Sequence, residues 1–502
     1  MVAPARRRRR VGAPKATRCR TLHQRLTCAQ LKSPQAMPSS ASADSPRFNK
    51  VLRRWDVVLL SFGAMIGWSW VLISGYWIES AGSLGTFIAF AAGGLAIILI
   101  GLTYGELASA MPKAGGEHVY THRALGPNWS FVCTWALLFA YIAVCLFEAV
   151  ALPTAIEYLA PGIRIGTLWR VLDADVDLGF ALIGAGSAIV ITVVNVLGIK
   201  AAARLQNLIA LMIFLSGMLL FTGALSFGEL DRARPFIAEP ATGILTVLIM
   251  VPALLVGFDV IPQSAEEINL PQSRIGVLLV VSVVMAVLWY VLIGLSVAVA
   301  LPRETLAASD MATGEAASAL WGGNWAGGVL VLGGVGGILS SWNAFVIGGS
   351  RVMFALAESG QIPRVFARVH PRYRTPYVGI ITIGLLCCIS PLFGRTILVW
   401  LVNVSSFGVT IAFLFVALAF LRLRKIEPNL ARPFKVAKGS AVGCGAVLLS
   451  LALLSAFLPW SPSALLWPYE WSMILGWALI GLLCFAFYRR RWPNLPMPEE
   501  KR

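Results

Sequence analysis

Apolar runs near twenty residues long recur about twelve times along this chain, and that recurrence restricts it to one kind of fold. A helical run of this length matches the ~30 Å hydrocarbon core of a bilayer. Backbone N–H and C=O groups find no water there, so each run must satisfy its own hydrogen bonds as a helix. Composition agrees. Of 502 residues, 58% are hydrophobic and 13% charged, whereas soluble domains carry about a quarter charged residues. The expected fold is an all-α, multi-pass integral membrane protein in the lipid bilayer.

The formal net charge is +17, which in a soluble chain would suggest a nucleic-acid partner. Its distribution points elsewhere. Arg6–Arg10 form a basic run in the N-terminal stretch, and most other Lys and Arg fall in alternate loops between the apolar runs. Lys113 and Arg123, Lys200 and Arg204, Arg364–Arg374 and Arg422–Lys438 fall on one side, and the acidic Pro161–Asp177 loop on the other. An excess of Lys and Arg in cytoplasmic loops orients membrane helices, so both termini are expected in the cytoplasm of a plasma-membrane protein. Eight cysteines have no metal-ligand spacing, and six of them lie in apolar segments, where cysteine packs as a small hydrophobe. None of the four histidines is read as a metal ligand. No metal, cofactor or disulfide framework is expected.

The predicted layout places a basic, disordered extension over residues 1–50 with no cleavable signal peptide. Met37 within it is an alternative translation start. The spans are expected near Trp55–Ser80, Gly85–Met111, Trp129–Leu159, 179–197, 205–225 and Thr242–Pro262. Six more follow near Gly276–Ala300, Ala326–Glu358, Tyr377–Leu392, Thr396–Leu421, 441–459 and 471–488. The first ten form a core over 51–438, spans 11 and 12 occupy 439–490, and 491–502 is a cytoplasmic tail.

Two spans are interrupted. Gly63 and Gly67 break the first, within Ser61–Gly75, and Gly257-Phe258-Asp259 breaks the sixth. Glycine permits backbone angles a helix does not use and leaves main-chain groups open to a ligand. Close packing through small residues explains either break alone. Breaks five spans apart point to a 5+5 inverted repeat with a midplane substrate site. Candidate binding residues are Met65, Gly67, Trp68 and Ser69 at the first break, and Ala253, Val256 and Gly257 at the second. Glu148, in the middle of span 3, is expected to face a cavity, because a carboxylate at that depth costs a few kcal/mol. It suits a proton carrier or a counter-ion for an ammonium, against the alternative of a structural carboxyl bonded to a neighbouring helix. Asp259 suits either substrate contact or capping of amides freed by the break. Ser340 and Ser341 offer oxygen ligands for a cation, or bond their own helix backbone. Glu106, Glu266 and Glu267 lie near span ends and read as ion-pair residues.

Longer motifs resemble the amino acid–polyamine–organocation permeases. Tyr104–Tyr120 with Ala124–Pro127 is similar to that family's span 2 to span 3 signature, and Asn195–Lys200 to its span 4 to 5 connection. Gly257–Asp259 with Ala265–Pro271, then Arg351–Gly360, Phe366–Pro371 and Arg432–Lys435, resemble later segments. The resemblance implies a secondary active transporter working by alternating access. It places a substrate carboxylate on span 1 amides and its amino group on span 6 carbonyls, in accord with helix-end dipoles. Three departures stand out. Trp68 replaces a small residue, Ala253–Val256 is aliphatic where an aromatic gate is common, and Leu205–Leu225 lacks the coupling lysine of some members. The expectation is a permease for a small amino acid or related amine, coupled to a proton rather than sodium. A polyamine- or ethanolamine-type amine permease and a non-transporting nutrient sensor are the alternatives. No nucleophile–base pair or nucleotide-binding loop supports an enzyme.

Overall fold

The computed structural model describes residues 50–491, apart from positions 68, 164, 172, 173, 310, 462 and 463. The expected N-terminal extension, Trp68 and the tail from 492 onward therefore lie outside the described residues. Apolar helices dominate, as the runs require. In chain order they are α1 (Arg54–Met65), α2 (Ser69–Leu72), α3 (Ser74–Ala110), α4 (Gly116–Leu125), α5 (Pro127–Leu159), α6 (Leu178–Val196), α7 (Ile199–Phe227), α8 (Thr242–Leu254) and α9 (Val260–Gln263). The chain continues with α10 (Gln272–Ala298), α11 (Arg303–Ala307), α12 (Ala312–Trp321), α13 (Asn324–Glu358), α14 (Tyr377–Ile389), α15 (Ile397–Ile426), α16 (Gly439–Ala456) and α17 (Tyr469–Arg491). Among the described residues, nine helices are long and apolar enough to cross a membrane, and α8 and α14 are shorter apolar helices.

Both expected breaks are present. Span 1 is divided between α1 and α2 and runs on into the start of α3. Its end is a kink at Gly82, whose φ of 76° is open to glycine and strained for other residues. A Cβ there would come within 2.7 Å of the Phe236 carbonyl, so the kink also lets the Phe236 segment approach. Span 6 is divided between α8 and α9.

Three connections differ from the layout read in the sequence. The Pro112–Pro127 loop holds α4, and α11 and α12 fill the stretch before α13. The acidic Pro161–Asp177 loop contains an antiparallel hairpin of β1 (Thr167–Val171) and β2 (Ala174–Asp177), pairing Trp169 with Val176. These segments are polar or short, so hydropathy periodicity carried no signal for them.

Burial separates the centre from the periphery. The most apolar stretch of α13 is 83% buried within the protein and that of α5 is 72%, against 6% for α17. A helix surrounded by protein needs small residues to let its neighbours approach, and α13 carries eight glycines from Gly327 to Gly349 inclusive. Peripheral α17 is tied to α5 through stacked Trp135 and Trp477, whose ring centroids are 4.5 Å apart. Each indole N–H donates to the other residue's carbonyl, at 3.0 and 2.9 Å. At one end, Glu106 of α3 accepts from Arg424, from Arg432 at 3.1 Å and from the Val436 amide at 2.8 Å. Two of the motif segments quoted above, Tyr104–Tyr120 and Arg432–Lys435, are thereby held together.

Candidate substrate site

A cavity of about 150 Å³ lies where the break between α1 and α2 faces α5, α8, α13 and α15. Met65, Gly67 and Ser69 line it from the first break and Ala253 and Val256 from the second, and Glu148 and Ser341 come from α5 and α13. Aliphatic side chains, among them Val144, Met250, Leu254, Leu401 and Val402, supply most of the remaining wall. Small ligands are commonly held this way, by apolar walls and a few placed polar groups.

The polar groups concentrate at the first break. Tyr290 of α10 donates its hydroxyl to the Met65 carbonyl at 2.9 Å and lies 3.1 Å from Ser69 Oγ. It thus satisfies a carbonyl that the helix interruption frees. Tyr290 is itself fixed by stacking on Phe90, with centroids 5.4 Å apart. Glu148 is 2% exposed. Its Oε1 accepts the Ser341 hydroxyl, and its buried Oε2 has no hydrogen-bond partner among the described residues. A Cβ on Gly67 would lie 2.8 Å from Glu148 Oε1, so Gly67 is what lets the carboxylate approach the break.

The remaining sequence candidates are placed elsewhere. Ser340, next to Ser341, accepts a hydrogen bond from Gln206 at 2.5 Å and is not part of the cavity wall. Gln206 in turn accepts from Asn343 at 3.1 Å, and Asn343 accepts from Asn195 at 3.0 Å. Gly257, at φ 130°, packs against α1, and a Cβ on it would come within 2.7 Å of Ala64 Cβ. Asp259 accepts the Gly257 amide at 2.8 Å, so it holds a backbone group within the break, and it is not part of the cavity wall. Glu267 pairs with Arg351 at 2.7 Å and Glu266 accepts the Ala114 amide at 3.1 Å. Trp68 lies outside the described residues.

Sequence reasoning missed Tyr290, the Gln206–Asn343–Asn195 chain and the α15 wall around Asn403 and Ser405. The available signal was a polar atom inside an apolar run, as at Tyr290 in span 7. What such an atom touches depends on packing.

The comparisons with known proteins agree with this architecture. The family described as "Amino acid permease" matches residues 52–483. The branched-chain amino acid permease BcaP of Bacillus subtilis is 26% identical over 462 residues, covering 91% of this chain and 96% of its own length. The methylthioribose transporter of the same bacterium is 24% identical, covering 90% of this chain and 96% of its own. Its aspartate-proton symporter is 23% identical, covering 89% and 85%. With interrupted helices around a buried cavity and a match along nearly its whole length, the chain belongs to the amino acid permease family, a family of membrane transporters rather than enzymes.

Proposed function

We propose that this permease carries a small, largely aliphatic amino acid or related amine together with a proton. The observation that carries the reading is the unpartnered Glu148 Oε2 in the wall of an otherwise apolar cavity, beside the break of the first span. A buried carboxylate without a cation is held neutral or paired with an incoming positive group. Both states serve coupled transport, one carrying a proton and the other a substrate ammonium. The substrate carboxylate would rest on amides beyond Gly67, and the amino group would face Glu148 and the carbonyl end of α8. Aliphatic residues around Ala253 and Val256 suit a substrate with an apolar side chain. Twelve crossings with both termini cytoplasmic in the plasma membrane complete the proposal, with a core over 51–438.

The test is uptake by the full chain in proteoliposomes. Glu148→Gln keeps the shape and hydrogen-bonding capacity but cannot release a proton. It should abolish accumulation driven by a proton gradient and retain substrate exchange. Continued accumulation in the variant removes Glu148 from coupling. Wild-type uptake that requires sodium and ignores pH transfers the role to Ser341 and Ser340. Glu148 Oε2 equally favours an amine lacking a carboxylate, so the substrate panel should include ethanolamine and a polyamine. Binding without uptake would identify a sensor.

A further inference from the structure

Away from the substrate cavity, a second buried polar cluster joins α4 to the break between α8 and α9. Glu117 of α4 and Asp259 at the break are both fully buried, and Gln263, whose backbone amide donates to the Asp259 carbonyl at 3.4 Å, links the two across one turn. Gln263 of α9 donates to Glu117 Oε2 and the Gly257 amide donates to Asp259 Oδ1. The second oxygen of each carboxylate, Glu117 Oε1 and Asp259 Oδ2, has no hydrogen-bond partner among the described residues. The Tyr104 hydroxyl bears on Glu117 and the Tyr141 hydroxyl bears on Asp259, yet both hydroxyls are also buried without a partner at bonding distance. Gln263 Oε1 is unpartnered too.

Among the described residues, no cation balances these two carboxylates. Neither takes part in an ion pair among the described residues, and the guanidinium of Arg351 on α13 is bound to Glu267. Arg424 of α15 is engaged by Glu106. His118, next to Glu117, is pushed down to about 3 by burial, with His122 acting in the same direction, so it is neutral. Its Nδ1 is within 3.1 Å of Ser130 and Thr134 hydroxyls. Tyr120 and Cys133 also face Glu117 and are uncharged. Glu266 adds acid rather than base at the far end of α9. Two like charges in a dry site without a counter-ion cannot both persist.

We propose that Glu117 and Asp259 share one proton, forming a second proton site separate from Glu148. The proton bridges α4 to the interrupted sixth span, and its loss leaves two like charges working against that contact. Such a pair titrates as a unit rather than as two independent acids. The site extends the proton-coupled reading above, and its test needs neither substrate nor gradient, so the two can fail separately.

The experiment is infrared difference spectroscopy on the full chain in lipid nanodiscs at neutral pH, in H2O and D2O. The spectrum of Glu117→Gln/Asp259→Asn is subtracted from wild type. The expected loss is one protonated-carboxyl C=O band, shifted in D2O, and one carboxylate band. Loss of two carboxylate bands and no acid band overturns the proposal, as does loss of two acid bands. Should the double variant fail to fold, Tyr104→Phe and Tyr141→Phe remove a hydroxyl and no carboxyl. Each should move the acid band while leaving its area unchanged, and a band indifferent to both substitutions also overturns the proposal.

Discussion

Tyr290 shows how much one hydroxyl does at the first break. It holds the Met65 carbonyl and Ser69 Oγ at the rim of the cavity, so Tyr290→Phe should loosen the break and weaken substrate binding. One hydrogen bond of ~1 kcal/mol corresponds to about a fivefold rise in the half-saturating substrate concentration. Isothermal titration or concentration-dependent exchange in proteoliposomes measures it, and an unchanged value removes Tyr290 from the site. Trp68 lies in sequence between Gly67 and Ser69, both of which line the cavity. An indole at a position the family fills with a small residue should restrict cargo size. Trp68→Ser is therefore expected to admit larger amino acids and to bind small ones less well, and a competition series against a labelled substrate would reveal either change. The sequence alone suggested Glu148 and the glycines, because a charge or a gap in an apolar run is visible locally. Tyr290 was hidden, since its partners Met65 and Ser69 lie far away in the chain.

At the scale of elements, the interrupted helices and the ion pairs at their ends carry the architecture. Gly257 sits at φ 130° with Ala64 against it, so Gly257→Ala combines backbone strain with a clash. A loss of ~1–3 kcal/mol is expected from the strain, read as a lower thermal midpoint of the purified protein. Arg351 and Glu267 are each only 2% exposed at the side chain, and Arg351 donates to Glu267 Oε1 at 2.9 and 2.7 Å. Their pair joins α13 to the segment after α9. Arg351→Met would strand a buried carboxylate at a cost of ~3–5 kcal/mol, while adding Glu267→Gln should recover most of it. Expression level and thermal midpoint of the three proteins test this, and additive losses in the double variant would contradict it. The breaks were legible as glycines inside long apolar runs. The helices α4, α11 and α12 and the β1–β2 hairpin were not, because a connection without apolar periodicity takes its conformation from the surfaces around it.

For the whole molecule, the test is sidedness. Arg170 in the hairpin loop and Arg368 in the basic stretch after α13 are both exposed. With both termini in the cytoplasm, Arg170→Cys in a cysteine-free background should react with an impermeant maleimide from outside cells. Arg368→Cys should react only after the membrane is opened, and the opposite pattern would invert the proposed orientation. The sequence by itself determined that the chain is an apolar helical membrane protein with interruptions in spans 1 and 6. Helix formation in lipid is enforced segment by segment, by the need to satisfy every backbone polar group internally. The family motifs were readable too, as local strings such as Tyr104–Tyr120. Only the tertiary structure decided which polar atoms face the cavity and which face each other. It separated Ser341, bonded to Glu148, from Ser340, bonded to Gln206. It left Asp259 out of the cavity wall and set it on the Gly257 amide. Adjacent residues on one helix point in different directions, and groups far apart in the chain meet only when the helices carrying them pack, so neither outcome is written in a local pattern.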